Sequence, residues 1–247
     1  MKISPLFAAL PLLALAACGG SGNDANSSTP AAPVAAKPAP AGMSWVDTVV
    51  KTPEGGFRMG NPDAPLKIVE YGSRACPYCG KFDQEGFPAL KEKYISAGKV
   101  SYEFREYPVH GPLDLGPILL GQCSGDTATF FPILDQMFAN QQTLLANEQQ
   151  VSAKVQAAQG ATPNQVATMY AEGLGYLDFM KQRGLPEDKA RACLNDKAAI
   201  DKLVERTKFA NDKFQISGTP TFIINGEKLN DVGDWATLEP VLKARGA

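Results

Sequence analysis

Four residues, Cys76-Pro77-Tyr78-Cys79, restrict this chain more than any other stretch. They follow Leu66 to Tyr71 (LKIVEY), a run rich in large apolar residues that reads as a strand. They open a segment in which Phe82, Phe87, Leu90, Tyr94 and Ile95 recur near helical spacing, to about residue 97. Proline suits the first helical turn, where no N–H is needed from it. A helix beginning at Pro77 aims free N–H groups and its positive end at Cys76. Both stabilise a thiolate, so Cys76 is the expected nucleophile. Cys79, one turn on, is placed to close a disulfide or to resolve a mixed one. A fold that carries this unit must bring a strand end and a helix start to one point.

A zinc site would need two further ligands. His110 is the single histidine, and Cys123 and Cys193 form no second C-x-x-C, so no metal is expected. A purely structural Cys76–Cys79 bridge would close too short a loop to gain much chain entropy. The formal net charge of -2 gives no basic surplus for nucleic acid.

The N-terminus reads as a targeting segment. Lys2 precedes an apolar run from Leu6 to Ala17, too short to span a bilayer and of signal-peptide length. It ends Leu15-Ala16-Ala17-Cys18, which resembles a bacterial lipoprotein signal over residues 1–17 with Cys18 as the lipidated residue, an ordinary cleavable signal with a chance cysteine being the alternative. Residues 18–43, nearly all Gly, Ser, Asn, Ala, Thr and Pro, lack the apolar content to fold and read as a disordered tether. The expected location is the bacterial periplasm, with a lipid anchor to the inner or outer membrane.

Beyond the first cysteine pair, Pro88 should kink the following helix, and Lys99 to Tyr107 (KVSYEFREY) alternates as a strand. Residues 112–205 are Ala-, Gln- and Leu-rich, with helix starts at Asp126, Thr162 and Pro186. Thr221 to Ile224 is a strand, Asn225-Gly226 a tight hairpin, and Asp234 the cap of a last helix. The two β-rich parts, 44–111 and 206–247, can share one sheet only if the helical block is an insertion.

The strand-CPYC-helix unit, Gly218-Thr219-Pro220-Thr221 before an apolar strand, and the helices between them resemble the thioredoxin superfamily, and more closely its DsbA-like periplasmic oxidoreductases. Gly56-Phe57-Arg58-Met59-Gly60-Asn61-Pro62 resembles the opening strand of that family. The resemblance implies an α/β, thioredoxin-like fold: a central mixed sheet flanked by helices, with an inserted α-helical sub-domain. It implies a cis peptide bond at Pro220 that presents the backbone of Thr219 to a substrate chain as an added strand would. It also implies a second, non-catalytic disulfide between Cys123 and Cys193, two buried free thiols being the alternative. No bound cofactor is implied, because the disulfide carries the two electrons. Cysteine-containing envelope proteins are the implied partners, with a membrane redox partner to recycle a monomeric protein. The strongest oxidants of the family carry histidine between the cysteines, whereas Tyr78 is uncharged near neutral pH, so a milder oxidant is expected.

Several residues keep two readings. Glu70 is either a buried proton shuttle under Cys79 or a solvent-facing strand position. His110 is either a loop residue or a catalyst. Phe130-Phe131 and Met137-Phe138 are helical core or a peptide-binding surface. A reductase or isomerase remains a rival for the direction of the chemistry, and a non-enzymatic metal- or ligand-binding lipoprotein a rival for its class.

Overall fold

The computed structural model describes residues 32–123 and 125–247. The signal segment, Cys18 and the tether up to residue 31 lie outside the described residues.

The sheet has six strands: β1 (Val49–Lys51), β2 (Phe57–Gly60), β3 (Leu66–Gly72), β4 (Val100–Glu106), β5 (Thr221–Ile224) and β6 (Glu227–Lys228). Their order is β1-β2-β4-β3-β5-β6. Only β3 and β4 run parallel; every other neighbouring pair is antiparallel. The parallel pair needs a crossover. It is supplied by α1 (Pro77–Glu85), α2 (Phe87–Leu90) and a π-helical turn over Lys91–Ile95. The helix breaks at Gly86, two residues before the expected kink. Pro88 has no N–H to give and crowds the carbonyl four residues back, so the preceding turn cannot continue. Trp235 packs against the break, where a Cβ on Gly86 would lie 2.7 Å from the Trp235 Cβ.

Nine further helical segments complete the described fold: α3 (Pro112–Gly121), α4 (Thr127–Ala139), α5 (Gln141–Leu144), α6 (Glu148–Ala157), α7 (Pro163–Gly173), α8 (Tyr176–Lys181), α9 (Glu187–Leu194), α10 (Lys197–Phe214) and α11 (Trp235–Ala244). Asp126, Thr162 and Asp234 cap α4, α7 and α11 with their side chains, the last two in capping boxes. Asn225 and Gly226 both take positive φ, 51° and 88°, as a two-residue hairpin requires. The alternation of β3 and β5 divides the core. Ile68, Phe222 and Ile224 face α1, α2, α4 and α11 on one side, while Val69, Tyr71 and Ile223 meet Ala210 of α10 on the other.

Phe130, Phe131 and Phe138 are buried against the sheet, and Phe130 stacks on Phe57 with centroids 3.8 Å apart. They are core, not surface, and they tie α4 to the sheet. Met137 belongs to the second apolar cluster, which α3 and α5 to α10 share. The boundary expected at 205/206 falls inside α10, which has no glycine or proline to stop it.

Part of the stretch expected to be a disordered tether, among the described residues 32–43, is held to the fold. Val34 N–H donates to the Gly246 carbonyl at 2.8 Å, Lys37 N–H to Ala97 at 3.0 Å, and Trp45 Nε1–H to Lys37 at 2.6 Å. Ala39 packs against the main core. A low-complexity segment can be held through its backbone, which composition does not report. Among the described residues, no helix is long and apolar enough to cross a membrane.

Candidate functional site

Cys76 is the N-cap of α1, with Pro77 in the first turn. Its sulfur lies 3.2 Å from the Thr219 carbonyl oxygen, and Thr219-Pro220 is a cis peptide bond. The loop before β5 therefore meets the helix start. Cys76 and Cys79 are buried, adjacent and unbonded, while Tyr78 is 70% exposed.

The two thiols differ sharply. Cys76 is lowered from 9.0 to about 5. The largest cause is a hydrogen bond from the Cys79 thiol; burial opposes it, and the Thr219 side chain and the N–H groups of Cys79 and Tyr78 add to it. Among the described residues the buried Thr219 hydroxyl has no hydrogen-bond partner of ordinary geometry. Cys79 is pushed well above its ordinary value by burial, by its bond to Cys76 and by the charges of Glu70 and Cys76. The N-terminus of a helix thus serves one sulfur and withholds water from the other.

Glu70 is 1% exposed, on the face of β3 that lies under α1. The solvent-facing reading of this residue is corrected: Glu70 is in phase with Leu66 and Ile68, so the alternation of β3 puts it on the buried face. Tyr102 Oη donates to Glu70 Oε2 at 2.6 Å. Burial raises the Glu70 carboxyl to about 8; the Tyr102 bond opposes this, the Cys76 charge adds to it, and a bond from Cys79 opposes it again. A carboxyl titrating near the working pH, in hydrogen-bond contact with a thiol, can pass a proton.

Four polar groups behind the pair were not evident from the sequence. Gln141 Nε2 donates to the carbonyls of Arg74 and Cys76 at 2.9 and 3.0 Å and so fixes the turn. Arg74 is fully buried and gives Nε and Nη2 to Glu106 Oε1 at 2.9 and 2.6 Å. A Cβ on Gly121 would fall 2.3 Å from the Arg74 guanidinium carbon, so the glycine makes its space. Asp114, also fully buried, accepts the Ser73 hydroxyl at 2.7 Å. The clue that could have exposed them is charge inside otherwise apolar runs.

The structure joins Cys123 to Cys193 through sulfurs 2.02 Å apart, linking the end of α3 to α9. The bridge lines a cavity of about 690 Å³ beside α10 and is not part of the Cys76 site. Cys76, Cys79, Glu70, Thr219 and Pro220 come together, flanked by Pro77 and Tyr78.

A family model described as Thioredoxin matches residues 52–244. A solved structure titled protein-disulfide isomerase, from Novosphingobium aromaticivorans, is 30% identical, with a TM-score of 0.71 over 76% of this chain and 95% of that one. The DsbA1 structure of Wolbachia pipientis, 24% identical with a TM-score of 0.56 over 75% and 87% of the two chains, shares the fold. A Rickettsia bellii protein named as a protein-disulfide oxidoreductase is 28% identical over 71% of this chain and 59% of its own length. The chain thus spans about three fifths of the curated relatives it first matches. A mixed sheet flanked by helices, the helical block between β4 and β5, and the family match over most of the sequence agree: the chain belongs to the thioredoxin superfamily and has a DsbA-like fold.

Proposed function

We propose that this protein is a thiol–disulfide oxidoreductase of the bacterial envelope that donates a Cys76–Cys79 disulfide to cysteine-containing proteins. The observation that carries the reading is the contrast within the pair, Cys76 near 5 and Cys79 far above its ordinary value. A substrate thiolate attacks Cys76 Sγ and breaks the Cys76–Cys79 bond, and Cys79 leaves and takes up a proton with Glu70 beside it. A second substrate thiolate attacks the substrate sulfur of the mixed disulfide and expels Cys76 as a stable thiolate. The substrate loses two electrons and the pair gains them; no other cofactor is needed. A disulfide whose reduced form is stabilised this way tends to oxidise others.

Thr219 offers its backbone edge to the substrate chain across from Cys76. Exported cysteine-containing proteins are the substrates, and a membrane redox partner removes the electrons. Cys18 is the lipidated residue that keeps the protein at the membrane, where it works as a monomer. Mass spectrometry of the mature N-terminus should find acylated Cys18; an unmodified terminus at another residue overturns the anchor.

The name of the Novosphingobium neighbour favours isomerase chemistry as a second reading. Equilibration with glutathione separates the two. A donor equilibrates with the pair largely reduced and oxidises a reduced, unfolded protein in stoichiometric amount. A pair that stays oxidised in the same buffer and only reshuffles existing bridges overturns the donor reading.

A further inference from the structure

The dipeptide between the cysteines brings no cation, yet the chain's one histidine is tied to the same turn from another loop. His110 lies between β4 and α3, and its backbone N–H donates to Asp114 Oδ2 at 2.8 Å. Its ring Nδ1 is 3.2 Å from Ser73 Oγ and 3.5 Å from Asp114 Oδ2. Ser73 is fully buried and has one hydroxyl proton, which goes to Asp114 Oδ1 at 2.7 Å. Ser73 Oγ itself accepts the Ala75 N–H at 3.1 Å. With its proton committed, Ser73 Oγ can only accept from the ring, so Nδ1 carries hydrogen. Nε2 is then the atom that changes protonation, on a side chain 37% exposed. The Ser73 carbonyl in turn accepts the Cys76 N–H at 3.2 Å, so ring and thiolate share one rigid support.

The groups acting on this ring favour its cation. The Asp114 hydrogen bond is the largest, burial opposes it, and the charges of Asp114, Cys76 and Glu148 of α6 add to it, so the His110 pKa is raised. Behind Asp114 stand Tyr176 of α8 and the Arg74–Glu106 pair, whose charges cancel. Asp114 is thus the buried anion that keeps the imidazole charged, and Cys76 is the anion that appears when the pair is reduced.

We propose that His110, oriented by Asp114 and Ser73, is a positioning residue whose imidazolium is the counter-charge of the Cys76 thiolate, in the place where Tyr78 provides none. The proposal rests on the exchange chemistry above, because a counter-charge to the thiolate favours the reduced pair. It also makes the oxidising tendency weaken as pH rises and the ring loses its proton.

The single histidine makes the test direct, since untagged protein gives one set of ring signals by NMR. His110 is titrated in the reduced protein, and again after brief iodoacetamide treatment at pH 6, where Cys76 is the reactive thiolate. Alkylation removes that charge and needs no substitution. The imidazolium should become about three- to tenfold more acidic, the range for a partly screened pair of charges. By reciprocity, His110→Asn, which keeps a donor for Asp114 but no charge, should make Cys76 less acidic by the same factor, read from thiolate absorbance. It should shift the glutathione equilibrium of the pair toward the disulfide by that factor. A ring that titrates identically before and after alkylation overturns the proposal. A wild-type pair that fails to exchange with glutathione while the coupling is intact overturns the exchange reading and leaves the counter-charge standing.

Discussion

Replacing Glu70 by Gln should make the reduced protein more stable and slower. The carboxyl is fully buried and raised from 4.5 to about 8. In that window the folded chain holds a proton the unfolded chain gives up, so the carboxyl's contribution to stability falls as pH rises through it. Each pH unit costs about 1.4 kcal/mol, hence roughly 3 kcal/mol at pH 7 and about 5 kcal/mol above pH 8. Gln keeps an acceptor for the Tyr102 hydroxyl at the same place and has nothing to titrate. Cys76, lowered to about 5, contributes the opposite slope, gained as pH rises from 5 toward 9, but it does so in both proteins. Urea unfolding of both reduced proteins at pH 5, 7 and 9 should therefore give curves that nearly meet at pH 5 and separate by about 3 kcal/mol at pH 7. Steps that deprotonate Cys79 should slow by about 10²-fold, because a buried thiol then has no base beside it. Equal stabilities at pH 7 and 9 would refute the buried-carboxyl argument; an unchanged rate would refute the proton transfer and leave the burial intact.

Cys79→Ser should accumulate mixed disulfides with substrate on non-reducing gels, and Cys76→Ser none; the reverse pattern would exchange the roles of the two sulfurs. Arg74→Met should destabilise by about 3–5 kcal/mol in urea, because Glu106 keeps its buried place without its cation; pairing it with Glu106→Leu should recover most of that loss. Cys123→Ala with Cys193→Ala should lower stability by up to about 4 kcal/mol, since the bridge closes a 70-residue separation, without changing the glutathione equilibrium of the first pair. Tyr78→His should raise the reduction potential by roughly 10–30 mV, a small gain at a side chain this exposed.

The sheet, the crossover and the helix caps were legible because each rests on a local rule: apolar runs for β3 and β5, Asn225-Gly226 for the hairpin, Thr162 and Asp234 for their helices. The cysteines were legible because C-x-x-C after a strand has few other uses. The polar support of the site was not. Lys99 to Tyr107 alternates, and alternation argues for one wet face. β4 lies between β2 and β3 with both faces covered, so Glu103 and Glu106 are buried. Whether such a charge is partnered depends on residues far along the chain: Arg74 and Glu106 are 32 apart, and Gln141 reaches Cys76 across 65. β1 was missed for another reason, having three residues and no buried side chain to mark it.

The backbone bonds of Val34 and Lys37 mark one end of the fold, and the reactive sulfur lies at the other. Val34 and Lys37 are fastened to Gly246 and Ala97, the latter in the turn that leads into β4. Leu66 pairs with Val100 there, so both parallel strands begin at this pole and run away from it. The seven residues of β3, a rise of roughly 23 Å, carry the chain to the other pole, four residues short of Cys76. Val34 and Lys37 are therefore fastened at the end of the parallel strands opposite the reactive sulfur. A pull applied at Val34 would load the end of α11 and the turn before β4 ahead of the cysteines.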